Sequence, residues 1–378
     1  MSEAEPLITI NISNYNYARF LPQAIESALS QTYANKEIIV VDDGSTDDSA
    51  AVIRRYADRV IPVFKKNGGE CTSVNAGFER SRGDMVCFLD ADDALLPHAL
   101  EKVAALARET PDVVKVHWPL IAIDVNGAEL GRTNPSEPLS EGDLREAVIA
   151  RGPDAYPSPP TSGNAWSRRY LEKRMPIPAA EFPIAGDAYL ELLAPFFGTI
   201  RKLDEPAGLY RVHGRNSSGQ VPFAQKADLF DYRCHLLSEH LRARGIAHDP
   251  ERWKGADYQR WRQFAELGRT LEPFIPAGAR YILVDDNQWA QCALIPRREA
   301  LPFLEKDNIY WGVPPDSGTA VRELERMRET PGARFVVFGQ PAFWWLDYFS
   351  GLREHLEKNY RCTLRNDTFV VFDLRAAA

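Results

Sequence analysis

Met85-Val86-Cys87-Phe88-Leu89-Asp90-Ala91-Asp92-Asp93 is an apolar run that stops abruptly in three carboxylates. Such a run reads as a strand buried on both faces, as the strands of a parallel sheet are. A second run, residues 37–41, ends in Asp42-Asp43 in the same way. Open α/β sheets bind ligands outside the carboxyl ends of their strands. A buried strand end does not tolerate unpaired charge. Acids gathered at two such ends therefore call for a cation or for hydrogen-bond donors facing them, and the pattern suggests a metal-dependent nucleotide site.

Outward from that stretch, strand and helix patterns alternate. Residues 7–12 predict a strand, and 18–31 a helix with Phe20, Leu21, Ile25 and Leu29 on one side. The small and acidic residues Asp42-Asp43-Gly44-Ser45-Thr46-Asp47-Asp48-Ser49 suit a loop that then caps a helix, with Asp47 and Asp48 as caps. A strand at 60–64, a turn at Gly68-Gly69, a helix at 72–80 and the strand at 85–89 follow. This order predicts an α/β fold with a mostly parallel sheet covered by helices on both faces.

Past Asp93 the pattern predicts a helix at 97–108, strands at 113–118 and 120–125, and an Asn126-Gly127 turn. The first domain is expected over residues 1–220. A helical linker is expected over 221–275, where Phe230, Cys234, Leu237 and Leu241 and then Tyr258, Trp261, Ala265 and Leu271 recur at helical spacing. A smaller α/β domain over 276–378 is expected to include a single helix at 343–358. It shows no glycine-rich phosphate loop, and Asp285-Asp286 reads as a turn. The adjacent aromatics Phe343 and Trp344 mark a candidate contact surface there.

The length of 378 residues suits two domains, and 44% hydrophobic with 26% charged residues is ordinary for a soluble globular chain. A net charge of -8 without a Lys/Arg block excludes the footprint of a nucleic-acid binder. Five scattered cysteines form no metal or redox motif and fit a reducing compartment. Residues 1–6 are acidic and unlike a secretory leader, and no apolar run approaches the ~20 residues of a membrane span. A cytoplasmic location is expected, with peripheral membrane contact or self-association through the C-terminal region left open.

Five ordered motifs add a resemblance: Ile12-Ser13-Asn14-Tyr15-Asn16, Gln31-Thr32-Tyr33, Val40-Val41-Asp42-Asp43-Gly44-Ser45-Thr46-Asp47, Asn67-Gly68-Gly69 through Asn75-Ala76-Gly77, and Leu89-Asp90-Ala91-Asp92-Asp93. In order and spacing, residues ~6–218 resemble the family 2 inverting glycosyltransferases of the GT-A fold. The resemblance implies Mn2+ or Mg2+ held by Asp92, with His213 completing the shell, and Asp90 and Ala91 at the ribose or metal. It implies Asp43, Tyr15 and Ser13 at the base, Asn75 in the donor half, and Arg211 or Arg215 at the diphosphate. Asp187 matches the family's general base; Gly186 stands where the family often has a further acid. Glu181 and Glu191 are the other candidates for base, and Asp93 fits a capping role as well as a catalytic one.

The chemistry is coherent. A departing nucleoside diphosphate gathers negative charge, which preorganised positive charge stabilises. Asp-x-Asp supplies hard oxygen ligands and leaves coordination positions for phosphate and water. The expected function is transfer of a sugar from a nucleotide donor, UDP first, to a glycan, lipid-linked or protein acceptor. The alternatives are a sugar-phosphate nucleotidyltransferase, whose glycine-rich opening loop is absent, and a non-catalytic nucleotide-sugar or glycan-binding module. A phosphatase nucleophile motif at the same loop would need Asp where Val41 stands.

Overall fold

The computed structural model describes residues 5–182, 186–213, 216, 221–289, 294–306, 309–330 and 332–375. They sort into two compact units: Met1–His213 with Asp231–Trp253, and Gly214–Phe230 with Lys254–Ala378. The segment expected as a helical linker is thus shared between the units. The helix Phe223–Arg242 contributes to both, and the helix Ala256–Leu271 lies in the second. No helix among the described residues is long and apolar enough to cross a membrane.

In the first unit the strands are β1 (Ile8–Asn14), β2 (Lys36–Asp42), β3 (Ile61–Phe64), β4 (Met85–Asp90), β5 (Ala94–Leu95), β6 (Val113–His117), β7 (Leu120–Ile123), β8 (Glu129–Asn134), β9 (Asn164–Ser167), β10 (Thr199–Lys202) and β11 (Gly208–Arg211). Among the described residues they form a seven-stranded sheet, β10-β6-β9-β4-β1-β2-β3, and a four-stranded sheet, β5-β11-β7-β8. The large sheet is parallel except at β9, which runs against both β4 and β6. This is the mixed α/β architecture that the strand and helix alternation predicts.

The register of β1 positions the site. Asn14 lies opposite Asp42, and Ser13 opposite Asp90, so the two acidic strand ends flank one central strand end. The two faces of β1 differ. Ile8, Ile10 and Ile12 are buried in the main core with Leu21, Ala24, Ile25 and Ala28 of the helix Leu21–Leu29. Thr9 and Asn11, equally buried, face the other way, where the Asn11 amide donates to the Val74 carbonyl at 3.3 Å. The helix Glu70–Arg80 lies on that polar face and approaches closely at Gly77, where a Cβ would come within 2.1 Å of the Asn11 side chain.

The second unit has β12 (Arg280–Val284), β13 (Glu299–Pro302), β14 (Glu305–Lys306), β15 (Ile309–Tyr310), β16 (Phe335–Gly339), β17 (Arg361–Arg365) and β18 (Phe369–Asp373). Its sheet runs β13-β12-β16-β18-β17, parallel in the first three and antiparallel in the last two. The single helix expected at 343–358 is two helices, Trp344–Tyr348 and Ser350–Asn359. The break falls at Phe349, which leaves helical geometry and is buried against Trp345. Strand β17 was not expected because Arg-Cys-Thr-Leu-Arg has no apolar face; it is an exposed edge strand.

Replacing Gly77 by Ala is expected to destabilise the fold by about 1–3 kcal/mol, because the buried Asn11 amide blocks the new methyl. Urea unfolding of the purified chain measures it.

Candidate active site

The nucleotide loop is built from the ends of β1 and β2. The Asn14 amide donates to Asp42 Oδ1 at 2.9 Å and to Ser45 Oγ at 3.1 Å, and Ser45 Oγ donates to Asp42 at 2.6 Å. Asn16, at φ 58, accepts the Thr46 N–H at 2.7 Å. Asp43 is buried: it accepts the N–H groups of Gly68 and Gly69 at 3.0 and 2.8 Å and pairs with Lys65. Ser13 Oγ is buried and has no hydrogen-bond partner among the described residues, whereas Tyr15 is 45% exposed beside the loop. Asp47 does act as a cap, accepting the N–H groups of Ser49 and Ala18 at 3.0 and 2.9 Å, while the Asp48 side chain makes no capping bond.

At the end of β4 the carboxylates diverge. Ala91 is buried and its N–H donates to the Ser13 carbonyl at 3.1 Å, so it offers a ligand backbone and not side chain. Asp93 is not a helix cap. It accepts Ser162 Oγ at 2.6 Å and the Arg211 N–H at 2.9 Å, fastening β4 to the start of the η-turn 161–163 and to β11. Asp92 turns the other way and meets His213 Nε2 at 2.8 Å. The His213 ring stacks on Phe20 at 5.7 Å, which fixes its plane.

Arg211, expected at the diphosphate, is instead a buried strut. Its guanidinium donates to the Asp92 carbonyl at 2.9 Å, the Asp124 carbonyl at 3.0 Å and Gln23 at 2.6 Å, and lies 4.8 Å over the Phe20 ring. Burial overrode the sequence expectation, since a buried guanidinium must satisfy its donors within the fold. Arg215 lies outside the described residues.

Asp187 stands in the first turn of the helix Gly186–Leu193. Burial, reinforced by nearby Glu191, pushes its carboxyl up to about 6, against the backbone N–H of Ala188 and the charge of Lys115. Glu191 itself is committed elsewhere: it pairs at 2.9 Å with Lys115, a lysine buried in the core, and accepts Ser158. Glu181 is exposed and is not drawn into this cluster. Asn75, expected to face the donor, uses both ends of its amide on the backbone of Ile177, at 2.9 and 2.8 Å.

Sequence reasoning missed Glu70. The helix was expected to begin at Thr72, but it begins at Glu70 after Gly69 at φ 90, and this places a carboxylate in its first turn. Gly-Gly-Glu before a helix was the available signal. Burial first, then the charges of Asp187 and Asp92, push Glu70 up to about 7. Asp90 is raised well above its ordinary value by burial and then by Glu70, Asp92, Asp93 and Asp187. A Cβ on Gly186 would lie 2.9 Å from the Ile177 Cδ1 and 3.1 Å from Cys71 Sγ, so a larger residue there would have to displace these side chains. The second carboxylate beside Asp187 comes from the neighbouring helix instead.

At this edge Asp90-Ala91-Asp92 closes strand β4, His213 meets Asp92, and Asp187 and Glu70 stand in the first turns of two helices. Residues 9–164 match the family Glycosyl transferase family 2. The first unit is therefore a family 2 glycosyl transferase domain. The chain is 40% identical over 214 residues to the uncharacterized glycosyltransferase alr2836 of Nostoc sp., covering 56% of this chain and 66% of that protein. It is 43% identical over 138 residues to an uncharacterized glycosyltransferase of Haemophilus influenzae, covering 35% of this chain and 55% of that one. Among solved structures it resembles S. aureus TarS 1-349 in complex with UDP, with 18% identity, TM-score 0.45, and 62% and 70% of the two chains covered.

The raised carboxyls set a pH dependence in metal-free protein. Glu70 and Asp187 keep protons in the folded state that the unfolded chain releases above its ordinary values of 4.5 and 3.8. Their contribution to stability is full below about pH 4 and is lost as pH rises through 6 to 7. Unfolding by urea in EDTA is expected to show this fall, and Glu70→Gln is expected to flatten it.

Proposed function

We propose that the first unit is a divalent-metal-dependent inverting glycosyltransferase. It moves a sugar from a nucleoside diphosphate donor, UDP first, to a glycan, lipid-linked or protein hydroxyl in cell-surface polysaccharide or glycoconjugate synthesis on the cytoplasmic side. The observation that carries this reading is the convergence of Asp187 and Glu70 with the Asp90-Ala91-Asp92 strand end, read from the mutual electrostatic influence of these carboxyls.

The donor set fits Mn2+ or Mg2+. Asp92 offers carboxylate oxygen and His213 an imidazole nitrogen 2.8 Å away, within a surplus of carboxylates. Among the described residues no group of three or more His, Cys, Asp or Glu is placed to hold an ion by itself. Two protein ligands with the rest supplied by diphosphate and water is the usual arrangement for such ions. When bound, the cation neutralises charge growing on the departing diphosphate.

The protein's own groups do the rest. Asp187 takes the proton of the acceptor hydroxyl as that oxygen forms its bond to the anomeric carbon. The bond from that carbon to the diphosphate oxygen breaks, the nucleoside diphosphate leaves with the electron pair, and the centre inverts. Tyr15 offers an open ring for the base, with Ser13 Oγ and the Asp43 loop at its side. Glu70, pushed up to about 7 by burial and then by Asp187 and Asp92, is partly protonated near neutral pH and so presents Asp187 with less than a full second charge.

Asp92→Ala is expected to abolish transfer and metal-dependent donor binding; activity undiminished in excess EDTA would overturn the metal role. A donor at 100 times its Kd with Mn2+ should stabilise the native state by ~2.7 kcal/mol, read by thermal shift across UDP-, GDP- and TDP-sugars. Asp187→Asn should retain donor affinity and lower kcat by roughly 10²–10⁴. In the unaltered enzyme kcat should rise with pH through about 6 as Asp187 ionises. A product of retained anomeric configuration by NMR would contradict single displacement.

A further inference from the structure

The second unit has a sheet of its own. β12 is flanked by β13 on one side and β16 on the other, so the chain winds in opposite directions from β12. Such a switch point opens a crevice at the carboxyl ends of the strands. The segments leaving those ends are rich in aromatics and acids. After β12, Asp286 at φ 53 accepts the indole N–H groups of Trp344 and Trp345, both at 2.6 Å. After β16, Trp344 and Tyr348 are 40% and 73% exposed. After β13 and the β14–β15 pair, Trp311 is 67% exposed.

Trp311 lines a cavity of about 660 Å³ together with Leu304 and Val313, whose polar wall is Glu305, Glu323 and Arg326. That volume is in the range of small-ligand sites. Arg326 donates to Glu323 at 2.7 Å and to Glu305 at 3.1 Å, which holds the trio in a plane-forming network. Two carboxylates against one guanidinium leave the wall net negative, and this disfavours phosphate, nucleotide or an anionic lipid headgroup. An indole face beside fixed carboxylate and guanidinium groups suits a neutral polyhydroxylated ring. Its C–H face lies on the indole, and its hydroxyls both donate to carboxylate and accept from guanidinium.

We propose that the second unit binds saccharide, with the Trp311 cavity as the site. It would retain a neutral segment of the glycan on which the first unit acts; that last assignment rests on the transferase reading, whereas saccharide binding does not. The test applies the full-length chain, without metal or nucleotide, to an array of neutral oligosaccharides, followed by calorimetry on the best binder. Trp311→Ala is expected to weaken binding by about ten-fold or more. Trp311→Phe should restore part of it. Val313→Lys, at a position 47% exposed, should block the cavity without disturbing the core, and serves if Trp311→Ala fails to fold. Absence of glycan binding by the unaltered chain, or equal binding by folded Trp311→Ala and Val313→Lys, would overturn the proposal. Preference for a cationic peptide over every glycan would overturn it as well. Donor thermal shifts in the same preparations report on the first unit separately.

Discussion

Mutual repulsion among carboxylates at one edge of the large sheet is the constraint on which the first unit is organised. Asp90, Asp92 and Asp93 end β4, Glu70 and Asp187 open two helices, and burial raises several of them further. Like charges brought this close in a low-dielectric setting either take up protons or acquire a cation. Burial and the neighbouring carboxylates raise both Glu70 and Asp90, which favours the first course at these two positions. A site so arranged has stability and ligand affinity coupled through the same groups.

The surrounding fold stabilises this edge from behind with fixed cations. Lys65 pairs with Asp43, Lys115 with Glu191, and Arg211 braces the Asp92-Asp93 turn through its backbone. Lys115 and Arg211 are buried, and Lys65 is partly so. The partner of Asp92 is instead the imidazole of His213, at 2.8 Å.

The helix pair Glu70–Arg80 and Gly186–Leu193 shows how backbone space decides chemistry. Gly186 is confined by Ile177 and Cys71, and Asn75 clamps Ile177 in position. The second carboxylate beside Asp187 is Glu70, 117 positions away in the sequence, where glycine precedes Asp187 itself. In the second unit the same principle operates on aromatics. Asp286 gathers two indoles at a strand end, while Trp311 stands over the cavity.

The sequence by itself determined the strand and helix alternation of the first unit, because buried parallel strands must be apolar and their acidic ends stand out against them. It also determined Asp92, Asp187 and His213 as the residues to examine, because local motifs carried them. Tertiary structure alone decided the rest. Burial turned Arg211 inward, where Asp92, Asp124 and Gln23 from distant segments accept from its guanidinium. The amide of Asn75 went to Ile177, and Asp93 to Ser162 and Arg211, across separations that no local pattern reports. Glu70 joined the site because a helix began one turn-fraction earlier than its apolar spacing implied, and the edge strand β17 formed from a polar stretch because pairing with β18, not an apolar face, holds it.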